Sequence, residues 1–131
     1  MISADTSVLV RYLVSTPAAQ AERARVLMDE ASEIGIPLVA LVETAHVLRT
    51  QYGVERSDVI DVLIELLTRE NIQLLGLPKA DALSALVRAR SLPGGPIPDS
   101  LIAASAKWAG ALPLYTFDEE LSGHGVPVAS P

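Results

Sequence analysis

The stretch Ile97-Pro98-Asp99-Ser100-Leu101-Ile102-Ala103-Ala104-Ser105-Ala106, running on to Leu114-Tyr115-Thr116-Phe117-Asp118, decides how the rest of the chain is read. Pro98 suits the first turn of a helix, where a missing N–H costs nothing. Asp99 beside it suits the positive end of the helix dipole. The turns that follow are apolar nearly all round and rich in alanine, the pattern of a helix buried against a sheet. Gly110 can end that helix. Leu112 to Tyr115 is then a short apolar strand, with Asp118 just past it.

Working outward, Ile2-Ser3-Ala4 forms a very short strand that Asp5 closes. Thr6 or Ser7 can cap a helix carrying Val8, Leu9, Tyr12 and Leu13. Thr16-Pro17 signals a helix start, and its helix runs to about Ser32. Gly35 is expected to break the chain before a buried strand, Ile36-Pro37-Leu38-Val39. A helix from about Leu41 to Tyr52 follows, with Glu43 in its first turn. Ser57 to Glu70 is amphipathic, with Asp58, Asp61 and Glu65 on its solvent face. Ile72-Gln73-Leu74 reads as a third strand. Pro78 opens a helix with Ala82, Leu83, Leu86 and Val87 inward. Val126-Pro127-Val128 is a last strand, confined to a sheet edge by Pro127. Strands alternating with helices predict an α/β fold: a parallel sheet covered by helices on both faces. The absence of repeats, low-complexity tracts and linkers predicts one domain over residues 1–131.

Half the residues are hydrophobic and the mean hydropathy is +0.35, which predicts a packed core rather than disorder. The chain has no cysteine. Thiolate catalysis, disulfides and cysteine-ligated zinc are therefore excluded, and a reducing cytoplasm is compatible. No apolar run approaches the ~18 residues of a membrane span. Asp5 and Arg11 interrupt what would be the apolar part of a signal peptide. The net charge of −6 argues against a broad basic surface for nucleic acid. It leaves a nuclease open, because metal ions offset clustered carboxylates locally.

In a parallel sheet the strands end, and the following helices begin, at one edge. Asp5, Glu43, Asp99 and Asp118 are all expected there, where open α/β sheets keep their sites. Ionised carboxylates gathered in one crevice repel each other until protons or cations relieve them. Hard oxygen ligands without histidine or cysteine select Mg²⁺ or Mn²⁺. An acid at a helix start is often only a cap, so the signal lies in the set of four. His46, one turn after Glu43, has a spacing that lets one metal bind both, although a polar neighbour is the commoner outcome. His124, in a glycine-flanked loop, reads as surface, and Trp108 as a packing residue. Arg11, Arg49, Arg88 and Arg90 can contact phosphate or simply be solvated.

Asp5-Thr6-Ser7-Val8-Leu9, Leu41-Val42-Glu43-Thr44-Ala45, Asp99-Ser100-Leu101-Ile102-Ala103-Ala104 and Thr116-Phe117-Asp118 resemble the successive motifs of PIN-domain ribonucleases. The small VapC-type toxins of prokaryotic toxin–antitoxin pairs are the nearest likeness. The resemblance implies a three-layer α/β/α fold with strand order 3-2-1-4-5. It implies a Mg²⁺- or Mn²⁺-dependent endoribonuclease toxin with Asp5, Glu43, Asp99 and Asp118 as catalytic and metal-binding acids, supported by the hydroxyls of Ser7 and Thr116. A cognate antitoxin, an RNA substrate and a homodimer are implied as partners. Two other readings compete. An aspartyl phosphotransferase at Asp5 wants a second acid two residues on, where Ser7 stands. A non-catalytic receiver-like or protein-binding module needs only one acid at the edge.

Overall fold

The computed structural model describes residues 1–131. The elements run β1 (Ile2–Ser3), α1 (Thr6–Val14), α2 (Ala18–Glu30), β2 (Ile34–Pro37), α3 (Leu38–Thr50), α4 (Arg56–Thr68), β3 (Ile72–Leu75), α5 (Lys79–Ser91), α6 (Ile97–Ala109), β4 (Leu114–Tyr115), a 3₁₀ helix (Glu119–His124) and β5 (Val128–Ala129). The α/β alternation expected of the sequence is present.

Every strand pairing is parallel. In one sheet β2 lies between β1 and β3, with Ile34 opposite both Ile2 and Ile72. In the other, β4 pairs with β5. The segments 3-2-1 and 4-5 of the expected order are therefore formed, while the β1–β4 ladder that would join them is not. The physical reason is brevity. β1 and β4 span two residues each, so few ladder bonds are on offer, and parallel pairing is the weaker kind per residue. Pro113 immediately before β4 has no N–H to add another.

The second strand begins earlier than its apolar run suggests. It covers Ile34–Pro37, and α3 starts directly at Leu38. Gly35 is inside the strand rather than a breaker, because a Cβ there would approach the Leu75 side chain to 3.0 Å. The glycine serves close packing between neighbouring strands.

Ile34, Ile36 and Ile72 of the sheet meet Leu9, Met28, Leu41, Ile60, Leu63, Leu67, Leu86 and Leu101 of the helices in one buried cluster. The guanidinium of Arg69 ties the α2 side together by bonding the Tyr12 hydroxyl, the Met28 carbonyl and Asp29. Asn71 donates from Nδ2 to the carbonyls of Met28 at 2.8 Å and Ala31 at 3.1 Å. Three expectations of burial fail on helices α5 and α6. Val87 is exposed, and so are Ile102 and Trp108, at 48% and 56%. α6 buries Ile97, Leu101 and Ala103 on one face only, so Trp108 is not a core residue. No helix is long and apolar enough to cross a membrane.

Candidate active site

Asp5 follows β1 and caps α1. Its Oδ1 accepts the Ser7 hydroxyl at 2.6 Å and the Val8 N–H at 3.2 Å. The serine hydroxyl first, and the backbone N–H next, hold this carboxyl below its ordinary value, since both bonds favour the charged form. The sequence offered Thr6 or Ser7 as the cap; the cap is the acid itself, and the serine is its donor.

Glu43 is exposed on α3. Because α3 starts at Leu38, Glu43 stands in its second turn rather than its first. α3 packs against both α1 and α6, so the helix lies between the one that Asp5 caps and the one that begins with Asp99. Pro96 is the N-cap of α6 and Asp99 sits in its first turn, as the proline-acid pair predicted. The Asp99 carboxyl is half-buried. Burial raises its pKa most, the charge of Asp118 raises it further, and His124 opposes both.

Asp118 follows β4 and caps the 3₁₀ helix, accepting the Glu120 N–H at 2.9 Å. The Thr116 hydroxyl accepts the Asp118 N–H at 2.9 Å and donates to the Asp118 carbonyl at 3.4 Å, fixing the turn that carries the acid. The structure thus brings Asp99 and Asp118 within each other's field. Asp5 and Glu43 lie after β1 and β2, at the carboxyl end of the three-stranded sheet. No three Asp, Glu or His side chains group closely enough to ligate one ion.

The PIN domain family profile matches residues 2–125. The chain belongs to the PIN domain family. A search of curated proteins finds no match to it. PIN domains are generally nucleases and typically use divalent metals such as Mg²⁺. The donor set of this PIN domain fits that chemistry. Its acids are hard oxygen ligands, and Asp99 carries the burial and like-charge strain that a cation relieves.

His124 was missed as a neighbour of this region. The structure half-buries it, with Nδ1 3.3 Å from the Ser100 Oγ, and Ser100 is itself only 2% exposed. The sequence signal was the glycine on either side, which reads as a loop. Nothing local announced the 3₁₀ helix that carries the imidazole back to α6.

Proposed function

We propose that this PIN domain is a Mg²⁺- or Mn²⁺-dependent endoribonuclease and the toxin of a type II toxin–antitoxin pair. The observation that carries the nuclease reading is Asp99, a half-buried carboxylate held in the field of Asp118 in the first turn of α6. Asp99 and Asp118, already in each other's field, would hold the ion, and Asp5 and Glu43 would have to close on it. A bound divalent ion supplies a Lewis acid for the phosphate and a more acidic water. The chain's own contribution is to fix the acids. Ser7 orients and keeps ionised the Asp5 carboxylate, and Thr116 braces the turn under Asp118. Water attack on phosphorus, with the P–O3′ bond breaking, leaves a 5′-phosphate and a 3′-hydroxyl and needs no protein nucleophile.

The deciding experiment incubates RNA with the protein and Mn²⁺, with and without chelator. Cleavage that needs the metal and leaves 5′-phosphate ends supports the reading. A 2′,3′-cyclic phosphate product, or cleavage indifferent to chelator, would sink it. Ser7→Ala should lower cleavage by about 10–100-fold, the usual cost of removing a group that orients a metal ligand. It should also raise the metal concentration needed for half-maximal rate. Unchanged metal dependence would remove Ser7 from the site.

The toxin reading rests on the likeness to VapC-type proteins and on electrostatics. The paired carboxylates of Asp99 and Asp118 attract a partner's arginine, whose planar guanidinium pairs with a carboxylate two bonds at a time. A cognate antitoxin added at saturation should abolish cleavage. The homodimer is proposed on the same likeness, and sedimentation showing only monomer at micromolar concentration would count against it.

A further inference from the structure

A second feature stands beside the acids. A cleft of about 620 Å³ opens between α3 and the segment Pro93–Pro98 that leads into α6. His46, Arg49 and Arg56 line it, and no aspartate or glutamate does. In a chain of net charge −6, a cleft whose ionisable groups are all basic is against the trend of the molecule.

The basic groups are not spent on acids. Arg56 donates from Nε to the Gly95 carbonyl at 2.7 Å and from Nη1 to the Ala89 and Leu92 carbonyls at 3.1 and 3.4 Å. Its Nη2 is buried with no partner, an unmet donor of the kind that costs stability unless something accepts from it. Burial first, and then the charge of Arg49, lower the Arg56 pKa. Two guanidiniums that repel each other without a carboxylate between them are the arrangement an anion resolves. Arg49 is exposed and enters no ion pair.

The other arginines flagged by the sequence differ. Arg90 pairs with Asp61, Arg11 bonds Gln20, and Arg88 lies against Gly125. Position also matters. His46 is one turn past Glu43 on α3, and Pro98, on the wall of the cleft, is next to Asp99.

We propose that this cleft holds a backbone phosphate of the RNA strand, flanking the phosphate cut at the acids. The assignment rests on the nuclease reading, which supplies the strand. It makes Arg49 and His46 positioning residues for substrate, with Arg56 as the fixed charge behind them. An acidic protein segment is the competing occupant, and the strand is favoured because the cleft adjoins two of the acids past which it must run.

The test measures binding of a short fluorescent single-stranded RNA by anisotropy, in chelator so that nothing is cut, across a salt series. Arg49→Gln should bind about fivefold more weakly, and its slope of log affinity against log salt should shrink by about 0.7, the value for one lost contact to a single strand. Arg49→Lys should keep the slope, and Arg90→Gln should match the wild type in both. The exposure of Arg49 and His46 keeps these variants folded, which circular dichroism checks.

Arg49→Gln and His46→Gln that both bind with wild-type affinity and slope overturn the proposal. So does a wild type that ignores RNA but binds an acidic peptide through Arg49. Wild-type RNA cleavage that needs Mn²⁺ and Asp99, with a silent Arg49→Gln, would leave the nuclease and remove the cleft. Weaker RNA binding by Arg49→Gln in a protein that cuts nothing would do the reverse.

Discussion

Asp99→Asn should abolish metal-dependent RNA cleavage, by about a thousandfold or more, and should melt at a higher temperature than the wild type in chelator. The first effect follows from losing one of the charges proposed to hold the ion, which supplies several kcal/mol of transition-state stabilisation. The second follows from the apo protein. Burial and the charge of Asp118 raise the Asp99 pKa above its ordinary 3.8. The folded state therefore keeps a proton that the unfolded state has already released. Stability contributed by the protonated form is complete below the unfolded value and is lost as pH rises through the folded one. At neutral pH the wild type bears the full cost of a charged, half-buried carboxylate; the amide has the same size and none of that cost. Melting curves against pH should show the wild type losing ground to the variant across that acidic window. A variant that still cuts within tenfold of the wild type, or that melts lower at neutral pH, contradicts the assignment. Asp61→Asn is the control, because its carboxylate is an exposed partner of Arg90 on α4, and exposed pairs contribute at most about 1 kcal/mol.

Leu101→Ala should cost about 2–5 kcal/mol of stability, the range for emptying a buried leucine site. Ile102→Ala, the next residue, should stay within about 0.5 kcal/mol. Leu101 is 2% exposed and belongs to the central cluster, while Ile102 is 48% exposed. A small domain has only about 5–15 kcal/mol in total, so the first change removes a large share of it. Urea titration of the two variants reads the orientation of α6 directly. Equal losses at both positions would mean that α6 is covered on its outer face as well, as by a second copy of the chain. A negligible loss at Leu101 would mean that the helix is rotated from the position described here.

What the sequence made legible was chiefly punctuation. Pro96, Pro98 and Gly110 bracket α6, and both ends fall where those residues demand. Asp99 was placed correctly because a first-turn acid is a local matter, whereas the cap of α1 was assigned to Thr6 or Ser7 and is Asp5. The shift at β2 and α3 has a different origin. Ile34 through Leu41 is a nearly unbroken apolar run with a proline in it, and periodicity cannot place the strand-to-helix change within such a run. Gly35 was misread because close packing against Leu75 and a chain break leave the same letter in the sequence. The missing β1–β4 ladder, the exposure of Trp108 and the return of His124 to Ser100 depend on segments distant in sequence. So does the sorting of the arginines. Arg90 and Arg49 both sit on helical surfaces, and only the fold supplies Asp61 to one and an acid-free cleft to the other.

The acid-free cleft within a molecule of net charge −6 separates two rates. An RNA strand approaching from solution meets the field of the whole protein, which repels it once it comes within reach of a Debye length, about 8 Å at physiological salt. Added salt screens that repulsion and should speed association. Once the strand is seated, the nearby guanidiniums govern its departure, and salt should speed that as well. Both rate constants should therefore climb with ionic strength, whereas a nuclease with a basic surface slows its association as salt is added. Arg49→Gln should then act almost wholly on residence time, leaving the encounter with RNA as slow as it was.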